Sequence, residues 1–254
     1  MSVKATTLHP VQESGWRSGF SNLLRKELRG WWGTRTWMVQ ALIWLFVVNG
    51  MLAIVLFADP GEASSEGFVV FSLFTGMFAS LGAIIFIQGR IVGEKQSGTA
   101  AWILSKPVSR AAFLLSKLLA DGLGFFVTVI VLQGAVAYAQ FATAGIAPSA
   151  VGFAAAMGML FVNLLFYVAL TLMLGAFFDS RAAVIGTAVF VLFAQVQVAQ
   201  SPTGQFLPGS LPFAAAEVLA GNPLPTVVVP LVGSVVLTAI FVAAAFRRFG
   251  REEF

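Results

Sequence analysis

Six long apolar stretches alternate with short polar segments along the chain, and each is close to or above the roughly 20 residues that a helix needs to cross a bilayer. The stretches cover residues 37–57, 68–88, 110–140, 151–177, 182–199 and 226–246. This pattern predicts an all-α polytopic membrane protein whose six transmembrane helices form one domain, residues 37–246. A leader, residues 1–36, precedes the domain, a tail, 247–254, follows it, and a Pro- and Gly-rich outer loop occupies 201–225.

The leader carries a helical signal of its own. Its apolar residues recur near helical spacing, and the basic residues Arg25, Lys26 and Arg29 fall on other faces. The apolar positions are Phe20, Leu23, Leu24, Leu28, Trp31 and Trp32. This pattern predicts an amphipathic helix lying in the headgroup region, where tryptophan is favoured, and the alternative is a solvated basic lead-in. The first apolar stretch begins too far into the chain for a cleaved signal peptide, so we expect it to be retained.

Composition indicates the class of the protein, and the distribution of charge predicts its orientation. The chain is 58% hydrophobic and 10% charged, whereas soluble domains carry about 25% charged residues. With a cytoplasmic amino terminus, the inner segments 1–36, 90–117, Arg181 and 247–254 hold all 15 Lys and Arg residues. The outer loops instead carry the acids Asp59, Glu62, Glu66 and Glu217. The positive-inside rule therefore predicts a multi-pass protein of the cytoplasmic (inner) membrane with both termini in the cytoplasm, and no nucleic-acid partner.

The segment between the second and third apolar stretches, residues 90–110, is a charged island. It contains four basic residues and one acid, namely Arg90, Lys95, Lys106, Arg110 and Glu94. A basic residue at the bilayer centre costs about 2.5–3.5 kcal/mol, so the island must lie outside the hydrocarbon. Glu94 is expected to hold Lys95 or Arg90, or to pair with a partner. Beyond the island, Lys117 and Asp121 are spaced i, i+4 and are expected to pair on one helix face.

Within the island, the sequence predicts a short helix with a defined start and stop. Gly98 and Thr99 precede a compact apolar run, Pro107 stops it, and Ser109 is placed to cap a new helix from Arg110. The run reads Ala100, Ala101, Trp102, Ile103 and Leu104. Such a short helix is marginal alone in water, so we expect it to dock on a partner with the last three residues of the run as its anchor. The alternative is that the basic residues only fix the topology.

Catalytic chemistry is missing from the sequence. The chain has no Cys, and its one His is His9 in the leader, so we expect no enzyme active site, metal or cofactor in this chain. Residues 93–99 resemble a phosphate-binding loop but lack the required Lys and a preceding strand, which argues against nucleotide binding. Among the neutral polar residues of the spans, Gln195, Gln197 and Asn163 are the candidates for lining a substrate path. The alternative role for them is hydrogen bonding between helices.

One known family shares both this topology and this island. The residues that carry the likeness are Glu94, Gly98, Thr99, Trp102, Ile103, Leu104, Pro107, Arg110 and Lys117. Residues 24–29 look like the start of that family's connecting helix, and 211–220 look like its short outer helices. The chain thus resembles the type-2 permease family of ATP-binding-cassette transporters (ABC-2).

The resemblance implies a function and a set of partners. It implies that the island is a coupling helix docking on a separate ABC ATPase subunit, present in two copies, which would hold ATP and magnesium. It also implies a homodimer of permeases in which the first and fifth spans meet. Two functions remain open: the permease subunit of an ATP-driven exporter, or a membrane scaffold or assembly factor that uses the ATPase motor mechanically without moving a solute.

Overall fold

The computed structural model describes residues 14–58, 63–146, 148–199, 201–222 and 227–252, so His9, Asp59 and Glu62 lie outside the described residues. Six helices are long and apolar enough to cross a membrane, and we call them spans 1 to 6. In chain order they are Thr36–Ala58, Ser65–Gln96, Arg110–Thr143, Ala150–Phe177, Arg181–Val198 and Val228–Phe249. The described ranges contain no strand. The prediction of an all-α protein with six spans is therefore confirmed, and the chain is a multi-pass membrane protein.

Three shorter helices accompany the spans. They are the amino-terminal helix, Phe20–Trp32, the loop helix, Thr99–Leu104, and the outer helix, Leu211–Leu219. The amino-terminal and loop helices lie at the same end of the bundle as the turn between spans 4 and 5 and the end of span 6. We call this the basic end. Span 2 continues to Gln96, eight residues beyond its predicted limit, and carries Arg90 and Glu94 on a continuous helix toward the basic end.

Spans 1, 2 and 3 each contain one widened, π-helical turn. The turns cover Leu45–Asn49, Phe74–Phe78 and Phe126–Val131. Such a turn interrupts the regular backbone ladder, and polar side chains can bind the freed carbonyls. The Gln133 amide nitrogen donates to the carbonyls of Thr128 at 2.9 Å and Ala41 at 3.1 Å. Its amide oxygen accepts from Asn49 at 2.8 Å, so spans 1 and 3 are joined by side chains.

Span 4 is the central helix of the bundle. In its most apolar stretch 72% of the residues are buried, against 28% for span 1 and 17% for spans 5 and 6. Span 4 packs against spans 2, 5 and 6 and against the outer helix. Span 2 lies between spans 1 and 5, and the Trp44 ring of span 1 covers Gly82 of span 2. The outward surfaces of spans 1, 5 and 6 are therefore left to lipid or to another protein.

The amino-terminal helix runs alongside the start of span 3, in the same direction. The Ser109 amide donates to the Ser18 carbonyl at 2.9 Å below the first turn of the span. Farther along, Glu27 lies beside Lys117, and the Trp31 indole donates to Asp121. Gly124 has no side chain to obstruct the Trp31 ring, which packs directly on it. The predicted amphipathic helix is thus present, with one stripe packed into the bundle.

Candidate functional site: a buried charge network beside an exposed loop helix

Glu27 is the centre of a buried network of charges at the basic end. The stripe that the amino-terminal helix buries is Leu23, Glu27 and Trp31, spaced four residues apart. One Glu27 oxygen accepts from Lys117 at 3.0 Å and from Lys26 at 3.2 Å, and the other pairs with Arg90. Glu27 is 4% exposed, so an unpaired carboxylate here would be costly.

Two further acids complete the network. Glu94 on span 2 accepts from Lys117 at 2.9 Å and Lys26 at 3.4 Å. Asp121 on span 3 lies 3.4 Å from the Arg90 Nε and accepts from the Trp31 indole at 2.8 Å. The network joins three acids to three bases, so its formal charge is balanced. It links the amino-terminal helix, span 2 and span 3 through polar contacts that are buried at Glu27, Lys117 and Asp121 and open to water at Lys26.

Burial and the basic partners of Glu27 have opposite effects on its pKa, and the effect of the partners is the larger. Burial alone would raise the pKa of this carboxyl, because water no longer solvates the charged form. The nearby charges of Lys117, Arg90 and Lys26, together with the hydrogen bond from Lys117, lower the pKa to about 2. Glu27 is therefore ionised throughout the physiological range.

Two of the expected ionic contacts are wrong. Glu94 pairs with Lys117 and Lys26, not with Lys95 or Arg90, because the helical end of span 2 turns it toward the amino-terminal helix. Lys117 and Asp121 form no ion pair with each other. Both are nearly fully buried, and each points to a partner on another helix.

A second ionic junction lies at the same end. Lys95 sits 2.6 Å from Asp179, in the turn between spans 4 and 5, and 2.7 Å from Glu252 after span 6. Arg110 donates to the carbonyl of Gly250 at 2.7 Å, beside the stacked rings of Phe113 and Phe249. The end of span 2, the start of span 3 and the end of span 6 are thereby tied together.

The loop helix begins and ends as its sequence predicts. Gly98, which precedes it, has a φ of +72°, a backbone conformation that residues other than glycine rarely adopt. The Thr99 hydroxyl shares a 2.9 Å hydrogen bond with Ser97. The Pro107 carbonyl after the helix accepts from Ser18 at 2.8 Å. Ser109 caps span 3 by accepting from the Ala112 amide at 2.9 Å, which confirms the predicted cap.

The three residues predicted as an anchor divide between the surface and the core. Trp102 is 63% exposed, and the Lys106 ammonium lies 3.5 Å from its ring centroid. Ile103 is only 6% exposed and belongs to the core of this chain, and Leu104 is half-buried against that core. The Ile103 side chain therefore holds the loop helix onto the bundle, and its expected contact with a partner stays a prediction. Trp102 alone of the three projects outward.

A groove of about 660 Å³ separates the loop helix from the amino-terminal helix. Leu23 and Ile103 contribute to its apolar floor, and Trp102 and Val108 to its sides. Lys26 and Lys106 line it, and the described lining contains no acid. This is a concave, basic and largely apolar surface of the kind that receives a protein segment.

Two of the three candidate pathway residues, Asn163 and Gln195, have hydrogen-bond partners within the chain. The Asn163 amide nitrogen donates to the Gly76 carbonyl at 2.9 Å and to Ser80 at 3.3 Å, which joins spans 4 and 2. The Gln195 side chain accepts from the Gly209 amide at 2.8 Å and holds the segment before the outer helix. Gln197 is exposed. For Asn163, hydrogen bonding between helices was the alternative, and that is what the structure shows.

Comparison with known proteins gives the family. The family described as "Protein of unknown function (DUF2705)" matches residues 37–254, which include all six spans and the loop helix. The chain belongs to this family. No curated protein matches it. The DUF2705 match covers Arg90, Glu94, Lys117 and Asp121 but begins after Glu27 and the amino-terminal helix.

The central residue of the network, Glu27, was not among the predicted site residues. A signal for it exists in the sequence, because Glu27 falls four residues after Leu23 and four before Trp31. An acid in the middle of an apolar helical stripe must be buried with that stripe, and a buried carboxylate needs a base. The identity of that base, Lys117, comes from tertiary packing and leaves no local trace.

Proposed function

We propose that this chain is the membrane permease subunit of an ATP-driven ABC exporter, powered by a separate ATPase that docks on the loop helix at the cytoplasmic face. The observation that supports the proposal is the pairing of an outward Trp102 with an inward Ile103 on one short helix. The outward residue offers a partner an exposed aromatic anchor, while the inward one fixes the helix to the bundle.

The charge network supplies a route by which docking would move the spans. A displacement of the loop helix or of the amino-terminal helix would be transmitted to Glu94, Glu27 and Lys117, which are joined across three helices. Packed helices with buried ion pairs resist independent movement, because separating a buried pair leaves an unpaired charge. Spans 2 and 3 would therefore move with the docked partner as one unit.

The exposed surfaces of spans 1 and 5 support a homodimer. Phe46 on span 1 is 82% exposed and Phe190 on span 5 is 72% exposed, on helices that flank span 2 on either side. A closed two-fold assembly is the commonest arrangement of identical subunits. Two of the candidate pathway residues, Asn163 and Gln195, make hydrogen bonds within one chain, and on this proposal the transport path lies between two copies.

The second candidate is a scaffold or assembly factor that uses the same motor without moving a solute. Within one chain, the hydrogen bonds of Asn163 and Gln195 favour it, because the amide nitrogen of the first and the amide oxygen of the second are used in contacts between parts of the same chain. Uptake of a solute into inverted vesicles, dependent on ATP and on the ATPase subunit, would separate the two candidates.

The test of docking is ATP turnover by the ATPase that copurifies with the full chain, measured with and without the permease. Trp102→Ala should lower the affinity of the permease for the ATPase subunit by about 30-fold or more, since truncating a hot-spot residue costs about 2 kcal/mol or more of binding free energy. Phe178→Ala, an exposed aromatic at the same end, is the matched control and should bind normally. Unchanged binding and turnover in Trp102→Ala, or a copurified partner without ATPase activity, would refute the proposal.

A further inference from the structure

The amino-terminal helix has a second apolar stripe that the bundle does not bury. Leu23, Glu27 and Trp31 face spans 2 and 3, whereas Phe20, Leu24, Leu28 and Trp32 remain half-exposed. These four residues recur every four positions and line a shallow, open groove of about 640 Å³, whose described lining belongs wholly to this helix and to Gly33 directly after it. Residues four apart lie on the same face of a helix, so the stripe is continuous along its length.

Two arginines flank this outer stripe. Arg25 and Arg29 are one helical turn apart, both are exposed, and both line the groove. No described acid lies within ion-pairing distance of either guanidinium. The neighbouring Lys26, by contrast, is paired with Glu27 and Glu94. The groove therefore combines a long apolar wall with two adjacent, uncompensated positive charges.

The position of the groove indicates what can fill it. Trp32 contacts Trp37 at 6.2 Å between ring centroids, and span 1 begins at Thr36. Tryptophans gather at the membrane interface, which places the end of the amino-terminal helix at headgroup level. Arg29 lies about one helical turn from Trp32 toward the amino terminus of the helix, and Arg25 lies about two turns from it, each turn rising about 5.4 Å. Trp32 is therefore the end of the stripe nearest to the acyl chains, and the two arginines lie on the headgroup side of it.

We propose that this groove is a binding site for an anionic phospholipid of the leaflet that the basic end faces. The acyl chain would lie against Leu28 and Trp32, and the phosphate would bind Arg25 and Arg29. Arginine binds phosphate through two parallel hydrogen bonds, and a basic cluster beside a membrane span attracts anionic lipid. The proposal is independent of the ATPase, because the groove lies on the outer stripe and the loop helix borders a different groove.

The test is native mass spectrometry of the full chain in detergent, titrated with dioleoylphosphatidylglycerol. The native protein should retain this lipid in preference to dioleoylphosphatidylcholine. The variant R25Q/R29Q should bind it roughly 10- to 30-fold more weakly. R25K/R29K should keep most of the binding, because the charge remains. A phosphatidylglycerol with six-carbon chains should bind far more weakly than the dioleoyl lipid, because it cannot cover the apolar wall.

The matched control is R247Q/R251Q, which removes two exposed arginines, also four residues apart, from the same end of the bundle. This variant should retain phosphatidylglycerol normally. Equal losses from the two double variants would mean general charge attraction and would overturn the proposal. Unchanged binding in R25Q/R29Q would overturn it too, and would leave these arginines to another partner. Full displacement of the lipid by millimolar inorganic phosphate would show that the acyl chain adds nothing, with the same consequence.

Discussion

Lys117 Nζ lies 3.0 Å from a carboxylate oxygen of Glu27, and neither side chain is more than 5% exposed. One residue belongs to a helix that precedes the first span and the other to the third span. Removing one partner of a buried ion pair leaves the other charge without compensation, whereas replacing both is far less costly. Variants of this pair therefore measure how much the attachment of the amino-terminal helix contributes to the stability of the protein.

Breaking this pair should destabilise the protein non-additively. We expect Glu27→Gln or Lys117→Met alone to cost about 3–5 kcal/mol, and the double variant to cost clearly less than the sum of the two. Thermal unfolding in detergent measures this cycle. Lys26→Met, whose side chain is 49% exposed, should change stability by less than about 1 kcal/mol. Strictly additive losses from the two buried variants would show that they do not act as a pair.

The low pKa of Glu27 predicts a loss of stability in acid. Its pKa falls from an ordinary value of 4.5 to about 2 in the folded protein. Because the folded pKa is the lower one, the stabilisation is fully present above pH 4.5 and is lost as pH falls toward 2. The contribution is on the order of 3 kcal/mol. Unfolding should be measured between pH 5 and pH 2, where Glu27→Gln should show a shallower dependence than the native chain. Parallel curves would contradict the assignment.

The close packing of Trp31 on Gly124 predicts a large effect from one methyl group. Gly124→Ala should force the indole away from span 3 and cost about 1–3 kcal/mol, as overpacked cores do. Gly158→Ala is the matched control, because that glycine is also within a span and has open space around it. It should be neutral or stabilise the helix by up to about 1 kcal/mol. Thermal unfolding of the two variants compares them directly, and equal stabilities would mean that Trp31 can move freely.

The division between Trp102 and Ile103 predicts opposite phenotypes from neighbouring residues. Ile103→Ala should lower the free energy of unfolding by about 2–5 kcal/mol, because it removes a core side chain. Trp102→Ala should change that free energy by less than about 0.5 kcal/mol while weakening the partner. Unfolding and partner binding must be measured on both variants. A strongly destabilised Trp102→Ala would place the indole in the core and refute this assignment.

A homodimer through spans 1 and 5 predicts cross-links between the two different spans. Two-fold symmetry brings span 1 of one copy against span 5 of the other, so the double variant F46C/F190C should form disulfide-linked dimers in the membrane, whereas either single cysteine should not. Val232→Cys on span 6, where the side chain is 54% exposed, is the control and should stay monomeric. Cross-linking of Val232 alone would place the interface on span 6.

The sequence predicted the helices well and their contacts poorly, for physical reasons. Long apolar stretches can only be satisfied by spanning helices in lipid, so the six spans follow from composition. Gly98 and Pro107 set the start and the end of the loop helix through their backbone geometry, which is also a local property of the sequence. Adjacent helical residues point about 100° apart, so Trp102 and Ile103 cannot share one face, yet only packing decides which of them faces inward. Likewise, the partners of Glu94 lie on two other helices, and one of them, Lys26, is more than 60 residues away, which no local pattern records.

The ionic junction at Lys95 sets an order for assembly in the membrane. Its partner Glu252 follows span 6, so this contact can form only after the last helix has been synthesised and inserted. The stacking of Phe113 on Phe249 has the same requirement. During synthesis the end of span 2 and the first turn of span 3 therefore remain without these final neighbours. The bundle closes at its basic end last, and a truncation before Phe249 would leave an inserted protein that keeps the Lys95–Asp179 pair but lacks the contacts of Phe249 and Glu252 with spans 3 and 2.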